Sequence, residues 1–203
     1  MPKNKRTGIQ NFIIFNLNRA LNYGLLYLSA MDTENLKSYV HDIPNFPKEG
    51  IVFKDIAPLL ASAKARKAAT KLLAKPFVNQ QVDFVVGMEA RGFLFGTLLA
   101  DALGAGFVMV RKPNKLPGSL VRQEYQLEYG TDTIEMQLSA IPSGATVLIH
   151  DDVLATGGTA AATAQLIKKA GGKIIGASFL IELDFLNGRT ALNGIDTHAV
   201  LHF

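Results

Sequence analysis

The sequence predicts an α/β fold in which a mostly parallel sheet is flanked by helices. Short apolar runs typical of buried strands recur along the chain, and alanine-rich segments of helical length separate them. Glycine or proline ends most of these segments. Strands that alternate with helices form right-handed βαβ units, so we expect parallel strands and a ligand site beyond their carboxyl ends.

The first half of the chain is expected to begin with a short helix and a punctuated loop, and then to enter the sheet. The expected elements are a helix over 34–40, a loop over 43–50, a helix over 59–75 that ends before Pro76, a strand over 82–87 and a helix over 93–103 closed by Gly104.

The second half repeats the alternation around one loop that is rich in proline and cations. The expected elements are a strand over 107–111, a loop over 112–122, a half-exposed strand over 133–138, a strand over 147–149, a helix over 160–170 and strands over 173–182 and 198–203. The loops 88–92 and 151–159 follow strands and fall on one sheet edge, so chemistry is expected where they meet.

Composition limits the classes of function. The chain has 203 residues, enough for one α/β domain, and no cysteine, which excludes disulfides and thiolate metal sites. Its net charge of +4 comes from four cations within residues 1–30, which contain no acid. The remaining body is neutral, whereas a nucleic-acid-binding protein usually shows a basic face.

Residues 1–30 form a segment of different character. They start basic, become apolar and end in small residues, like a signal peptide. Arg19 and four asparagines interrupt the apolar stretch and argue against export and against a membrane span. We expect an upstream extension, from a mis-assigned start or a disordered segment, before a single domain over 31–203. An interfacial amphipathic helix is the remaining alternative.

The stretch VLIHDDVLATGGTAA, residues 147–161, carries the strongest chemical signal. Thr156–Thr159 stands between a strand and a helix, where free backbone N–H groups, the helix dipole and glycines suit a phosphate. The segment is neither a Walker A loop nor a dinucleotide-binding fingerprint. The bland alternative for TGGT alone is a turn that caps a helix.

Two acids beside an anion site need an explanation. Asp151 and Asp152 would repel a phosphate at the same point, so their natural partners are hydroxyl groups or a cation. A sugar phosphate meets both requirements, with its phosphate on the glycine loop and its ring hydroxyls on the acids. A ligand that chelates magnesium would also relieve the two charges.

Residues 147–159 resemble, without gaps, the signature of the type I phosphoribosyltransferases, which use 5-phosphoribosyl diphosphate (PRPP). Further motifs are similar to those of the adenine-specific members of that family, and the resemblance covers about 34–200. These motifs are FPKEGIVFKDIAPLL (46–60), VVGMEARGFLFG (85–96), RKPNKLPG (111–118) and YQLEYG (125–130). The resemblance implies the family's fold, with a small hood from the N-terminal region, and a homodimer.

The resemblance also implies roles for individual residues. The expected PRPP ligands are Arg91, Lys112, Lys115, Asp151, Asp152, Ala155, Thr156, Gly157, Gly158 and Thr159. The expected adenine contacts are the backbone of Val52, the ring of Phe53 and the cation of Lys54. Taken singly, Val52 and Phe53 also suit a core, and Arg91 suits a surface ion pair.

The segment around Lys112 and Lys115 is expected to be a mobile lid, because the reaction must be kept from water. A solvated basic loop is the alternative. By resemblance, Glu128 at the end of this lid is the catalytic carboxylate and Tyr129 closes over the site. The resemblance further implies a strained Glu89–Ala90 peptide, for which a cis bond is one form.

The resemblance therefore implies an enzyme of purine salvage that transfers phosphoribose from PRPP to adenine, giving AMP and diphosphate. Mg²⁺ is expected as a substrate chelate, because the four histidines show no metal-binding spacing. We expect a cytoplasmic homodimer without nucleic-acid or membrane partners. The alternatives are transfer to hypoxanthine, guanine or xanthine, and a regulator of the same fold that binds nucleic acid.

Overall fold

The structure, a computed structural model, describes residues 33–126 and 130–203, and of Glu34 and Gln126 only the backbone. The strands are β1 (His41–Pro44), β2 (Val52–Asp55), β3 (Phe84–Met88), β4 (Gly106–Val110), β5 (Leu120–Gln126), β6 (Thr131–Gln137), β7 (Thr146–Leu154), β8 (Lys173–Glu182) and β9 (Thr197–His202). The α-helices are α1 (Thr33–Lys37), α2 (Ala57–Ala61), α3 (Ala63–Ala74), α4 (Gly92–Leu103) and α5 (Gly158–Lys169). Short 3₁₀ turns cover Lys75–Phe77, Asp184–Leu186 and Gly188–Leu192.

Five parallel strands form the central sheet in the order β4-β3-β7-β8-β9. Helix α4 connects β3 to β4, and helix α5 connects β7 to β8. The expected α/β architecture with a mostly parallel sheet is thus confirmed. The carboxyl ends of the neighbouring strands β3 and β7 lie side by side, which is where such sheets bind ligands.

Helices cover both faces of the sheet. Successive strand residues point to opposite faces, so side chains of one strand pack against helices on both sides. Val86 and Ile149 are fully buried and pack in one core cluster with Leu166 of α5. Gly87 points to the other face, where the Phe107 ring and α4 leave no room for a β-carbon. The two acids of β7 are therefore held on a strand that is mostly buried.

Two antiparallel hairpins stand outside the central sheet. Strands β1 and β2 pair with each other and form the small N-terminal hood, although the loop expected over 43–50 includes the end of β1. Strands β5 and β6 pair over seven residues each, and Arg111 bridges β6 to the end of β4. The loop expected over 112–122 was therefore wrong at its end, since β5 begins at Leu120.

The helix expected over 59–75 is divided in the structure. Ser62 adopts an extended conformation between α2 and α3, and its hydroxyl accepts a hydrogen bond from the Ala65 N–H at 3.2 Å. Serine competes well at a helix N-cap, which explains the break inside an alanine-rich run. The predicted end of α4 is confirmed, because Gly104 caps it at φ 65°.

Two strands differ from the sequence prediction in burial or length. The strand expected to be half-exposed, β6, buries Ile134, Glu135 and Met136 in succession. Strand β7 continues past the expected apolar run and includes Asp151 and Asp152. Alternation failed in β6 because the buried Glu135 carboxylate has its own partners, namely the Arg122 Nε at 2.6 Å and the Asn114 N–H at 3.2 Å.

Among the described helices, none combines the length and apolar character that crossing a membrane requires.

Candidate active site

Arg91 and Asp152 meet at the carboxyl edge of the sheet. Arg91 stands at the N-terminus of α4, after β3, and its Nε lies 2.7 Å from Oδ2 of Asp152 on β7. The Asp152 side chain is 6% exposed, whereas that of Arg91 is 37% exposed. The structure therefore brings together two predicted PRPP ligands from separate motifs, at the edge where the strand order places them.

The guanidinium group of Arg91 is held from two sides. Its carbon lies 4.5 Å from the centre of the Phe53 ring, within the range of a cation–π contact. Among the described residues, no group accepts a hydrogen bond from its buried Nη1. An anionic oxygen at this point would satisfy that donor, because guanidinium groups favour bidentate contacts with such oxygens.

The loop after β7 leads into a helix N-terminus with features that suit an anion. Ala155 and Thr156 make the turn, Gly157 adopts φ 80°, and α5 starts at Gly158, two residues earlier than the sequence predicted. Thr159 therefore lies in the first helical turn, where backbone N–H groups lack partners within the helix. This first turn carries no acid and no side-chain cap, so its positive end is available to an anion.

The adjacent acids are held in an unfavourable electrostatic state. Burial raises the pKa of Asp151 well above its ordinary value, and the neighbouring charge of Asp152 adds to this rise. Burial also raises the pKa of Asp152, while the charge of Arg91 limits the increase. Part of the Asp151 surface remains accessible, but its carboxylate packs against Gly92, where a β-carbon would lie 2.6 Å from Oδ1.

The three predicted adenine contacts separate into two groups. Phe53 faces Arg91 and makes an edge contact with Phe46, with ring centres 5.2 Å apart. Val52 is exposed. Lys54 follows on β2, and its ammonium lies 2.6 Å from Asp42 and 4.2 Å from the centre of the Phe203 ring. The structure thus places Phe53 beside Arg91 and gives Lys54 different partners.

The two lid lysines have different environments. Lys112 donates to Asp132 at 2.7 Å, and this hydrogen bond raises the pKa of Lys112 and lowers that of Asp132. Lys115 is exposed, and its carbonyl accepts from Arg111 at 3.3 Å. Arg111 also pairs with Glu89 at 2.8 Å, which joins the lid to the loop after β3.

The prediction missed a link between the segment expected to be a lid and the start of α5. Thr159 donates to the Tyr125 hydroxyl at 3.3 Å, and Tyr125 donates to Asp132 at 3.4 Å. Burial raises the pKa of Tyr125. Tyr125 lies in the YQLEYG motif and Arg111 in the RKPNKLPG motif, so the signal was present although neither residue received a role.

Other predicted residues have simpler outcomes. The Glu89–Ala90 peptide is cis, one of the forms that the resemblance implied. Glu128 and Tyr129 lie outside the described residues. His150 is fully buried, and burial lowers its pKa to about 4, so the imidazole is neutral near pH 7.

Comparisons with known proteins were consistent with this geometry. Residues 56–191 match the model of the phosphoribosyl transferase domain. The chain is similar to the adenine phosphoribosyltransferase of Flavobacterium johnsoniae, with 52% identity over 168 residues that cover 83% of this chain and 99% of the relative. It is also 52% identical to the adenine phosphoribosyltransferase of Geobacter metallireducens, over 84% of this chain and 99% of the relative.

Solved structures give the same result. The crystal structure of adenine phosphoribosyltransferase from Rhodothermus marinus aligns with a TM-score of 0.82 and 50% identity, covering 84% of this chain and 98% of the other. The Saccharomyces cerevisiae enzyme, crystallised with an imino-altritol bisphosphate and adenine, aligns with a TM-score of 0.79 and 42% identity, covering 83% and 97%.

Proposed function

The chain belongs to the adenine phosphoribosyltransferase family, and from that premise we propose that it transfers phosphoribose from PRPP to adenine in purine salvage. The bond between ribose C1′ and diphosphate breaks, a bond from C1′ to an adenine nitrogen forms, and that nitrogen releases its proton. The products are AMP and diphosphate. The observation that carries the proposal is the Arg91–Asp152 pair beside the free N-terminus of α5.

The N-terminal turn of α5 binds the 5′-phosphate. The backbone N–H groups from Gly157 to Thr159 face the phosphate and the Thr156 hydroxyl adds a donor, while the Thr159 hydroxyl donates to Tyr125. Ala155 and Gly157 leave space for a close approach of the phosphate oxygens. These contacts hold a part of the substrate that does not react, so they contribute mainly to affinity.

Asp151 and Asp152 accept hydrogen bonds from the ribose hydroxyls. Both side chains lie where water solvates a carboxylate poorly, and this burial raises both pKa values. Hydroxyl donors improve this environment, and so does a positive charge that develops on the ribose ring. The arrangement therefore favours the oxocarbenium-like transition state, in which the ring carries positive charge.

Arg91 binds the diphosphate with its buried Nη1, which has no hydrogen-bond partner among the described residues, and Lys112 and Lys115 bring further positive charge from the lid. Lys112 must exchange Asp132 for the diphosphate when the lid closes. Phe53 stacks on the adenine ring and the Val52 backbone contacts its edge. Lys54 pairs instead with Asp42 of β1 and lies against the Phe203 ring, so it joins the hood to the end of the chain.

Glu128 and Tyr129 end the lid, and we assign them the chemical step. The Glu128 carboxylate stabilises the cation-like ribose or assists departure of the adenine proton, and Tyr129 covers the site against water. Mg²⁺ enters bound to PRPP and neutralises the diphosphate. The donor set fits it, because carboxylate and phosphate oxygens are the ligands that Mg²⁺ prefers.

The domain over residues 31–203 carries this activity, and residues 1–30 precede it as an extension. The enzyme acts in the cytoplasm as a homodimer. Leu94 and Leu98 support a dimer, since they lie one turn apart on α4 and are 45% and 37% exposed. Sedimentation at several protein concentrations tests the oligomeric state.

Formation of AMP from adenine, PRPP and Mg²⁺ tests the proposal. Glu128→Gln is expected to lower kcat by about a hundredfold or more, in the range of a lost general acid or base. Glu124→Gln is the matched control, because it makes the same chemical change at an exposed position four residues away. Equal activity of the two variants would contradict the role of Glu128, and no AMP from the unmodified chain would contradict the function.

A further inference from the structure

A second glycine turn packs directly behind the loop Ala155–Thr159, which holds the 5′-phosphate in the proposed function. The 3₁₀ turn Gly188–Leu192 follows β8 and contacts the residues that connect β7 to α5. None of its residues takes part in the site described above. Because it packs against that loop, the turn can hold the loop in the geometry that a phosphate requires.

The two glycine segments approach each other as backbone against backbone. A β-carbon on Gly188 would lie well inside 3.0 Å of the Ala155 carbonyl oxygen and at 3.0 Å from Leu154 Cγ. A β-carbon on Gly157 would likewise collide with the Gly188 carbonyl oxygen and lie 2.9 Å from Ala191 Cβ. Gly188 is buried and does not have the positive φ of Gly157, so lack of space is what requires a glycine there.

An arginine clamp fixes the turn to the sheet. Arg189 Nε donates to both carboxylate oxygens of Glu182, at 2.7 and 2.9 Å, and Nη2 donates at 2.6 Å. Its Nη1 donates to the carbonyl of Thr197 at 2.5 Å. Glu182 ends β8 and its side chain is 6% exposed, while Thr197 begins β9. These bonds raise the pKa of Arg189, led by the hydrogen bond to Glu182.

The chain joins the hydrogen bonds of Arg189 directly to the contact between Gly188 and Ala155. Glu182 holds Arg189, Arg189 follows Gly188 in the chain, and Gly188 touches Ala155. The Leu183 N–H also donates to the Leu154 carbonyl at 3.0 Å, so the chain segment before the turn is tied to the end of β7. Planar, multidentate arginine contacts hold their partners more rigidly than a lysine could.

We propose that Gly188 and Arg189 are positioning residues that set the phosphate loop, Ala155–Thr159, in its binding geometry. The inference rests on the proposed function, in which that loop holds the 5′-phosphate. The Gly188 backbone limits how far the loop can move towards it, and the hydrogen bonds of Arg189 keep Gly188 in place. Neither residue touches substrate, so both act through the loop.

Gly188→Ala tests the contact between the Gly188 backbone and the loop. The added methyl group displaces the loop, and a displacement of about 1 Å in a binding site can cost as much as about a hundredfold. We expect the KM for PRPP and the Kd for ribose 5-phosphate to rise at least about tenfold. The KM for adenine is expected to stay within about twofold, since the hood is untouched. An unchanged Kd for ribose 5-phosphate would overturn the proposal.

Gly176→Ala is the matched control. Its β-carbon would lie 2.8 Å from the Phe77 ring and 3.0 Å from the Asp196 carbonyl oxygen, so it is also crowded, but it lies near the other end of β8. We expect a lower melting temperature with an unchanged Kd for ribose 5-phosphate. If it weakened this ligand as much as Gly188→Ala does, general destabilisation would explain both and the proposal would fail.

Arg189→Lys tests the clamp without adding volume and serves if Gly188→Ala does not fold. The substitution keeps the positive charge but loses the planar guanidinium group and its several donors. The KM for PRPP is therefore expected to rise about threefold to tenfold with kcat little changed. A lower melting temperature with unchanged affinity for ribose 5-phosphate would reduce Arg189 to a structural role. Calorimetry with ribose 5-phosphate needs no turnover, so failure of the chain to make AMP would count against the proposed function alone. If the unmodified chain did not bind ribose 5-phosphate, both proposals would be refuted.

Discussion

Replacing Asp151 by asparagine should stabilise the free protein while it impairs substrate binding. Asparagine keeps the shape and the Oδ1 acceptor, which takes a hydrogen bond from the Asp152 N–H at 2.9 Å. It removes a carboxylate whose pKa is raised by burial and by the neighbouring charge of Asp152. Binding sites commonly hold such unfavourable groups at a cost in stability.

The expected gain is about 1 kcal/mol near pH 7, in the usual range for relieving one unfavourable group. For a chain of this length, this corresponds to a melting temperature higher by about 3 °C. The folded protein raises the Asp151 pKa above its unfolded value of about 3.9, so the native state binds more protons between the two values. Stability of the unmodified protein is therefore lost as pH rises above about 4, and Asp151→Asn avoids this loss.

Thermal melts of both proteins from pH 4 to pH 8, without ligand, test the reasoning. The difference in melting temperature should be near zero at pH 4 and grow towards neutral pH. Asp83→Asn is the contrasting control, because hydrogen bonds from Thr146, the backbone N–H foremost, lower the pKa of Asp83. That variant should lose stability at neutral pH and approach the unmodified protein as pH falls below about 4. A gain for Asp151→Asn that does not depend on pH, or a loss at pH 7, would refute the account.

Three further variants test other contacts. Arg91→Gln leaves the buried Asp152 carboxylate without its cation, so the free energy of unfolding should fall by about 2 kcal/mol. This is less than the loss of a fully buried ion pair, because the Arg91 side chain is 37% exposed. A melting curve at pH 7 measures the change, and no change would contradict the pairing. Phe53→Leu should raise the KM for adenine about threefold to tenfold, the value of an aromatic stack, and leave the KM for PRPP unchanged. Tyr125→Phe removes the hydroxyl that accepts from Thr159, so the KM for PRPP should rise about threefold, as steady-state kinetics can check.

The parallel sheet and its helices could be predicted because apolar runs and glycines mark them directly. Gly104 ends α4 as expected. The hood hairpin was missed because Pro44 and Pro47 read as loop punctuation, although proline is tolerated in edge strands. Strand β7 was predicted too short because His150 ends the apolar run and two acids follow it, while the backbone pairing with β8 continues through Leu154.

The site could be predicted as far as it follows from the sheet edge. The meeting of Arg91 with Asp152 follows from the order of β3 and β7. The link between Tyr125 and Thr159 could not be predicted, since it joins residues 34 positions apart through side chains alone. The contact between Gly188 and Ala155 was equally hidden, because a glycine without positive φ leaves no local pattern in the sequence.

Competition among free purine bases tests the central claim most directly. The unmodified chain is given Mg²⁺, PRPP and equal concentrations of adenine, hypoxanthine and guanine, and the nucleotides formed are separated and identified. The account predicts AMP as the product, with diphosphate released in equal amount. IMP or GMP as the main product would contradict the assignment of the hood around Phe53 to adenine.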